Sequence, residues 1–339
     1  MSQLELNQIV LFCYDIFQRV HWLMHRSPDE ILQVAGELKQ ILVSCRLCPR
    51  ECGVDRTKGE LGFCGASLLP SVSSIVMHFG EEPPLVGDRG AGTIFFAYCN
   101  LRCVFCQNHQ ISRGLVGKEI LVSDLASEMI RLQNEGALNI EPVSPTHQVH
   151  AFIEALGLAI GNGLNLPVVY NCGGYESLEV IKLINGIVDI YLPDLKYAEN
   201  DAASEYSSCP DYVEHARAAI LEMYSQVGDL ELDPDGSAVR GLIIRHLVLP
   251  NDASGTIDTL QWIKANLSTD VTVSLMSQYS PMYEAHKFDQ LNTRISQDEY
   301  ERVVDKCWEL GFENVFIQNF ESQDLGIPDF TDDEPFEWR

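Results

Sequence analysis

Three cysteines in the middle of the chain have the spacing expected of an iron–sulfur site. Cys99, Cys103 and Cys106 lie in the segment YCNLRCVFCQN and follow the pattern C-x3-C-x2-C. A cubane cluster contains four irons, so three thiolates leave one iron without a protein ligand, whereas a ferredoxin cluster that only carries electrons is normally held by four. The vacant iron is a position where a cofactor can bind.

S-adenosylmethionine suits such an iron because its amine and carboxylate can chelate the metal. Its sulfonium then lies close enough to accept an electron and to break into methionine and a deoxyadenosyl radical. Phe105, just before the last cysteine, could pack beside the adenine, with ordinary core packing as its alternative. The competing interpretation is a zinc site completed by a ligand such as His109, although zinc modules usually pair cysteines as C-x2-C knuckles. We expect a 4Fe–4S cluster that binds S-adenosylmethionine.

A second group of cysteines lies nearer the start of the chain, in a segment rich in glycine, residues 44–66. Four ligands make a closed site, which is either a structural zinc or an auxiliary iron–sulfur cluster. A segment this poor in apolar residues needs a bound metal to hold its shape, and we favour a centre with no direct catalytic role. Its candidate ligands are Cys45, Cys48, Cys52 and Cys64.

The remaining cysteines, Cys13, Cys172, Cys209 and Cys307, are scattered along the chain. The chain begins with no basic region followed by an apolar stretch and a small-residue cleavage site, so we expect a cytoplasmic protein with reduced thiols. Scattered reduced cysteines are usually small buried hydrophobic residues.

From residue 93 onward, short β-rich runs alternate with helical patterns about six times. This alternation indicates parallel strands joined by helical crossovers, in either a barrel or a doubly wound sheet. The predicted strands are 93–98, 138–143, 167–171, 187–196, 241–250, 271–279 and 314–320. In a barrel, the chemistry lies where strands end and βα loops begin. Cys99 and the stretches 144–147, 171–174 and 194–196 occupy such positions.

The chain resembles the radical SAM proteins that are similar to the pyruvate formate-lyase activating enzyme, in the branch with an N-terminal cysteine module. The resemblance rests on segments spread over about 44–320, including CRLCPRECGVDRTKGELGFC, GAGTIFFAYCNLRCVFCQNHQIS, VVYNCGGYESLEVIKLINGIVDIYLPDLKY and GLIIRHLVLP. It implies a partial (β/α)6 barrel of the TIM type, formed by residues 85–320, in addition to the cysteine module.

The resemblance also implies roles for residues at strand ends. Ser144 and Thr146 occupy the loop that holds the cofactor's amine, where relatives often have Gly-Gly-Glu. Asp194-Leu195-Lys196 matches an Asp-Leu-Lys motif in which the lysine meets the cofactor's carboxylate and the aspartate can hold a monovalent cation.

Arg245 resembles the arginine of an Arg-x4-Pro stretch and would be a second partner of the carboxylate. A charge-assisted hydrogen bond of this kind contributes about 1.5–3 kcal/mol. From the residues alone, Lys196 and Arg245 could equally form ordinary salt bridges. Asn171 and the glycines after it could approach the cofactor closely or form a simple strand-to-helix turn.

No ferredoxin-like insertion follows Cys106, because the next cysteine is Cys172. We therefore expect the reducing electron to come from the first cysteine module or from a flavodoxin or ferredoxin. The radical would abstract hydrogen from a partner protein, such as a glycine of a glycyl-radical enzyme, or from a small molecule. A rival of another class is a non-catalytic metal scaffold in which both cysteine groups are structural.

The composition limits the partners further. The chain has 339 residues, with 23 Lys and Arg against 49 Asp and Glu, a net charge of −26. Such a charge repels phosphate backbones and anionic membrane surfaces, so we expect neither nucleic acid nor membrane as a partner. Residues 1–43 predict a helical extension and residues 321–339 an acidic tail.

Overall fold

We describe the protein from a computed structural model, in which residues 26–320, 327–332 and 334–336 are described. The helix predicted before residue 26 and most of the predicted acidic tail lie outside these residues. The helices are α1 (Pro28–Ile41), α2 (Pro83–Val86), α3 (His109–Ser112), α4 (Val122–Glu135), α5 (Val149–Gly161), α6 (Leu178–Leu183), α7 (Asn200–Ser207), α8 (Tyr212–Val227), α9 (Thr256–Asn266) and α10 (Gln297–Leu310). None of these helices is both long and apolar enough to cross a membrane.

The strands form one sheet whose main part is parallel. They are β1 (Ser71–His78), β2 (Ala91–Phe96), β3 (Lys118–Glu119), β4 (Ile140–Val143), β5 (Val169–Cys172), β6 (Ile190–Pro193), β7 (Glu231–Leu232), β8 (Ala238–Leu247), β9 (Thr272–Met276) and β10 (Val315–Ile317). Strands β2, β4, β5, β6, β8, β9 and β10 are parallel neighbours in chain order. A doubly wound sheet would reverse its order at a switch point. The progression in one direction is that of a barrel wall, as the resemblance implies, and the seven parallel strands described match the seven predicted runs, one more than a (β/α)6 barrel has.

The parallel strands form because their sequences are continuous apolar runs that are covered on both faces. Every residue of β2, AGTIFF, is buried, and so is every residue of β4, β5 and β6. Strands of this kind are typical of sheets with helices outside and a filled interior. The carboxyl ends of the strands consequently point to one rim of the sheet.

Strand β1 was absent from the sequence prediction. It pairs antiparallel with β2, with Ile75 opposite Ile94 and His78 opposite Ala91, and β3 pairs with its other edge. Its sequence SVSSIVMH mixes serine with apolar residues, and its middle is only half-buried. An edge position needs no continuous apolar run, which explains why the pattern was missed.

Helix α1 packs against α5 and belongs to the outer layer of helices. It begins with a capping box, in which the Ser27 hydroxyl accepts from the Glu30 amide and the Glu30 carboxylate accepts from the Ser27 amide. Ile31 and Leu38 are fully buried, and burial of such a side chain stabilises by about 1.5–3 kcal/mol. A Cβ at Gly157 of α5 would lie 3.0 Å from the Leu32 side chain, so a glycine allows the two helices to pack closely.

The cysteine module follows α1 and is anchored to the barrel by Arg56. This arginine is 1% exposed, and its guanidinium donates to the carbonyl oxygen of His147 at 2.8 Å and to that of Ser67. Within the module, the Cys45 amide donates to the Val54 carbonyl at 2.9 Å. The two terminal nitrogens of the guanidinium are thus paired with carbonyl oxygens, which fix the module's position, whereas its buried Nε has no partner among the described residues.

Candidate functional site

The cysteine triplet lies on the loop directly after β2. Tyr98 turns the chain with a left-handed φ of 72°, and its amide donates to the Ile111 carbonyl at 2.8 Å. This turn directs Cys99, Cys103 and Cys106 toward one cavity. The predicted triplet is therefore one spatial group at the rim of the barrel.

Each sulfur of the triplet has a polar neighbour. The Ser207 hydroxyl donates to Cys103 Sγ at 3.0 Å, Cys106 Sγ lies 3.3 Å from Ser112 Oγ, and the Leu101 amide donates to Cys99 Sγ at 3.4 Å. Hydrogen bonds to cysteine sulfurs are among the means by which proteins tune iron–sulfur clusters.

Burial disfavours thiolates in this group unless a cation accompanies them. Burial and the neighbouring Cys103 raise the pKa of Cys99 to about 12, and burial likewise raises the pKa of Cys106. Lys196 opposes both shifts. Metal coordination deprotonates thiols outright, so the chemistry of this donor set suits iron.

The triplet opens onto a cavity of about 210 Å³ at the carboxyl ends of the strands. The cavity lining includes residues from or just after five parallel strands beyond β2: Ser144, Asn171, Asp194, Arg245 and Met276. This is the face on which barrels of this class carry their chemistry. The cavity therefore combines the cysteine triplet with most of the predicted cofactor-binding residues.

The charged residues of the cavity form one buried network. Asp194 accepts from Lys196 Nζ at 2.5 Å and from Arg245 Nε at 3.3 Å. Burial raises the pKa of Asp194, but the two adjacent cations outweigh it and lower the pKa overall. Burial lowers the pKa of Lys196, but Asp194 outweighs it, so the lysine stays protonated. Both predicted salt bridges exist, and the cations also face the cavity.

Arg245 links the network to two further residues. Its Nη2 donates to Asn171 Oδ1 at 2.7 Å, and its Nη1 lies 2.7 Å from Glu81 Oε2. The Asn171 amide nitrogen in turn donates to Glu141 Oε1 at 2.7 Å. The guanidinium is thus held at three of its nitrogens, which fixes its plane within the barrel.

Ser144 and Phe105 reach the cavity, whereas Thr146 does not. Ser144 has a left-handed φ of 53°, and its amide donates to the Asn171 carbonyl at 2.8 Å. Phe105 lines the cavity and packs edge to face on Tyr279, with ring centroids 5.9 Å apart. The Thr146 hydroxyl instead donates to Glu176 Oε1 at 2.6 Å in the buried layer behind the rim. Thr146 therefore lies outside this cavity in the structure, and its contact with the cofactor stays a prediction.

Gly174 positions the Asp-Leu-Lys motif rather than a ligand. Its φ is +81°, and a Cβ there would lie 2.2 Å from the Asp194 carbonyl oxygen and 2.8 Å from the Tyr212 hydroxyl. The Tyr212 hydroxyl donates within this tight packing to the Asp194 carbonyl at 2.8 Å. Only glycine allows the loop after β5 to pack this closely against the end of β6.

Three acidic residues near the cavity were missed by the sequence analysis. Glu81 and Glu82 follow β1 in the segment GEEPP, and the side chain of Glu81 is 8% exposed. Glu141 lies within β4 and is fully buried. A glutamate in the middle of an apolar strand was the available signal, because such a side chain needs a polar partner inside the barrel.

The four cysteines of the first module surround one small pocket. Cys45, Cys48, Cys52 and Cys64 line it together with Arg56 and His147. Burial raises the pKa of Cys48 and of Cys64. Gly62 borders this group, since a Cβ there would lie 2.9 Å from Cys52 Sγ.

The arrangement brings four soft ligands to one pocket, but their spacing in this structure is wider than a single metal ion requires. In the described part of the chain, no three His, Cys, Asp or Glu side chains were found close enough to hold a single metal ion. The identity of the centre, zinc or cluster, stays a prediction.

The module contacts the loop of the cysteine triplet directly. Arg102 lies between Cys99 and Cys103, and its Nη2 donates to the Phe63 carbonyl at 2.7 Å. Its guanidinium also lies 4.9 Å from the centroid of the Phe63 ring. The residue before Cys64 is therefore in contact with the loop that carries the triplet.

Comparisons with known proteins give one relative along nearly the whole chain. The chain is 30% identical over 319 residues to the uncharacterized protein MJ0674 of Methanocaldococcus jannaschii, covering 89% of this chain and 87% of that protein. It is 27% identical over 134 residues to the pyruvate formate-lyase-activating enzyme of Clostridium pasteurianum, covering 37% of this chain and about half, 54%, of that enzyme. No family model matches the chain.

Solved structures show more distant likeness. A radical SAM methyltransferase from Sphaerobacter thermophilus has a TM-score of 0.45 and 13% identity, covering 67% of this chain and 66% of its own. The FeFe-hydrogenase maturase HydG from Carboxydothermus hydrogenoformans has a TM-score of 0.42 and 14% identity, and the match covers 92% of this chain and 71% of the HydG chain.

The fold and the site define a parallel α/β barrel with a cysteine triplet at the end of its first parallel strand. The chain belongs to the family of the MJ0674 protein.

Proposed function

We propose that this protein cleaves S-adenosylmethionine reductively at a 4Fe–4S cluster held by Cys99, Cys103 and Cys106. The observation that carries the proposal is that the three thiols share one cavity with Lys196 and Arg245. When bound, the cluster supplies one electron to the sulfonium, whose bond to C5′ breaks to leave methionine and a 5′-deoxyadenosyl radical that abstracts hydrogen.

The residues of the cavity have separate tasks in binding the cofactor. Lys196 and Arg245 supply positive charge for its carboxylate, and Asp194 holds both cations in place. Asn171 and Ser144 offer polar groups where the amine would lie, and Phe105 offers an apolar face for the adenine. The Asp194 oxygens already accept from two cations, so the predicted monovalent cation would have to share them.

We propose that the first cysteine module holds a closed centre, zinc or iron–sulfur. A flavodoxin or ferredoxin would supply the electron, either directly or through this module. The contact of Arg102 with the Phe63 carbonyl supports a role of the module in positioning the triplet loop. Because the clustered cysteines require reducing conditions, we propose a cytoplasmic location.

We propose a carbon-bound hydrogen of a partner protein as the target, with a small molecule as the alternative. The local similarity to an activating enzyme supports the partner protein. It covers about a third of the chain, 37%, and supports a class of target without naming one. A non-catalytic scaffold is the alternative of a different class, and it predicts zinc in both sites.

The test is anaerobic reconstitution with iron and sulfide, reduction with dithionite, addition of S-adenosylmethionine, and chromatographic detection of 5′-deoxyadenosine. A variant with Cys99, Cys103 and Cys106 replaced by alanine is the control. Product from the wild type that is lost in this variant supports the proposal. Protein that contains a spectroscopically verified cluster and neither binds S-adenosylmethionine nor forms product would overturn it.

A further inference from the structure

A second cavity of about 600 Å³ adjoins the one that contains the cysteine triplet. The two cavities share part of their lining, including Asn171, Arg245 and Gln278. Arg245 lies between them, since its guanidinium contacts Asp194 on one side and Glu81 on the other. A molecule in the second cavity would therefore lie beside whatever occupies the first.

The residues around Arg245 include more carboxyl groups than cationic side chains. Asp194 and Glu81 are paired with Arg245, and Asp194 is also paired with Lys196. Glu82 and Glu141 lie close enough to Arg245 for its charge to lower their pKa values. Among the described residues, no ion pair joins either glutamate to a cation within 4.0 Å. The network therefore contains two carboxyl groups, those of Glu82 and Glu141, that are not paired with a cation.

Each of these two carboxyl groups has an oxygen without a hydrogen-bond partner among the described residues. Glu82 is 8% exposed and lines the second cavity, and its Oε2 is buried and unpaired. Glu141 is 0% exposed, and its Oε2 is likewise unpaired. A buried acceptor without a donor costs about 1–3 kcal/mol, more if it is charged. At Glu82, which lines the second cavity, a ligand can supply the missing donor.

We propose that the second cavity is the substrate pocket of this enzyme and that its substrate presents an organic cation, an ammonium or guanidinium group, to Glu82. The inference rests on the proposed function, because it assigns the substrate side of the same site. The cavity is far larger than a metal ion requires, and Phe79, Phe316 and Ile317 give it an apolar side. It suits an amphipathic ligand with a cationic end and a carbon chain.

The groups that face Glu82 make this recognition dependent on protons. Burial raises the pKa of Glu82, and Glu81 adds to the effect, whereas Arg245 opposes it. Burial also raises the pKa of Glu141, next to Glu81 and Glu82. His78 of β1 lies 3.5 Å from Glu81, and burial lowers its pKa to about 4, so it contributes no charge near neutral pH. A cation beside Glu82 would oppose this shift and lower the pKa of the carboxyl.

The test is calorimetric titration of the anaerobic protein, loaded with its cluster and S-adenosylmethionine, with four probes in two pairs. The probes are n-butylammonium against n-butanol and acetyl-glycyl-lysine amide against acetyl-glycyl-norleucine amide. We expect each cationic probe to bind at least about 10-fold more tightly than its neutral partner.

Glu82→Gln should weaken the cationic probes about 10-fold or more and leave the neutral ones unchanged. Glu141→Gln provides a second variant should the first fail to fold, with the same expected direction. Glu313→Gln, at an exposed position outside both cavities, is the matched control and should change nothing. Equal affinity of charged and neutral probes, or affinity unaffected by both buried substitutions, would overturn the proposal.

The two probe pairs also distinguish a cation that belongs to a protein from one that belongs to a small molecule. Tighter binding of the lysine peptide indicates a segment of a partner protein, and tighter binding of butylammonium indicates a small amine. Potassium chloride is added as a competitor in a further titration. If potassium displaces neither butylammonium nor the lysine peptide, the result supports an organic cation as the ligand. If potassium binds while these two cationic probes do not, the proposal is overturned. Calorimetry does not need turnover, so absence of 5′-deoxyadenosine counts against the proposed function without affecting this result.

Discussion

Arg50 Nε donates to the carbonyl oxygen of Asn100 at 3.1 Å and thereby joins the two cysteine groups. Arg50 lies between Cys48 and Cys52, and Asn100 lies next to Cys99. The guanidinium also lies over the Phe63 ring at 3.9 Å and near the Tyr175 ring at 5.2 Å. The geometry of one cysteine group therefore bears on the loop that holds the other.

Arg50→Ala should loosen this contact. A cation–π contact and a charge-assisted hydrogen bond are lost together, which predicts destabilisation by about 2 kcal/mol. Urea unfolding followed by circular dichroism measures the change. Arg302→Ala removes an exposed arginine and is the control. Equal stability of the two variants would show that the contact contributes nothing.

Lys196→Ala should weaken binding of S-adenosylmethionine and leave the cluster assembled. The lysine supplies one charge-assisted donor, so the expected loss of affinity is roughly 10- to 100-fold. Equilibrium dialysis measures the affinity, and the visible absorption and electron paramagnetic resonance of the cluster measure its integrity. Lys182→Ala, at an exposed position of α6, should match the wild type. Unchanged affinity in the Lys196 variant would remove the lysine from the site.

Cys48→Ala should empty the first module and leave the open cluster intact. The substitution removes one of four ligands from a closed site, while the triplet keeps all three of its own. Elemental analysis after anaerobic purification should show a loss of either zinc or iron, which identifies the centre. If the resonance signal of the open cluster disappears as well, the two centres are not independent.

Glu176→Gln should make stability less dependent on pH. Burial raises the pKa of Glu176 to about 7 from 4.5, so the native state binds its proton more tightly than the unfolded chain does. The protonated Glu176 therefore contributes fully to the free energy of unfolding below pH 4.5, the pKa of the unfolded chain. This contribution, about 3 kcal/mol, is lost as the pH rises from there through about 7.

The variant should accordingly lose less stability than the wild type between about pH 5 and 8. Urea unfolding at intervals across this range measures the slope. Glu179→Gln, three residues further along at an exposed position, should follow the wild-type curve. A difference in stability between wild type and Glu176→Gln that stays constant over this range would contradict the assigned shift.

The sequence alone determined that three cysteines are spaced for an open iron–sulfur cluster and that the fold has parallel strands joined by helices. The triplet spans only eight residues, from Cys99 to Cys106, so local spacing was enough to indicate a shared cluster. The seven parallel strands were each predicted because buried strands need continuous apolar runs whatever lies around them. The resemblance to radical SAM proteins, rather than local pattern alone, led to the expectation that Asp194, Lys196 and Arg245 lie near the cofactor.

Only the tertiary structure decided which side chains share a cavity. Arg245 meets Glu81, 164 residues away, through the closing of the barrel, and no local pattern contains that contact. The same applies to Thr146, whose hydroxyl donates to Glu176, and to Glu82, which lines the second cavity. The direction of a side chain at a strand end depends on the strands beside it, and their pairing is set by contacts spread over the whole chain.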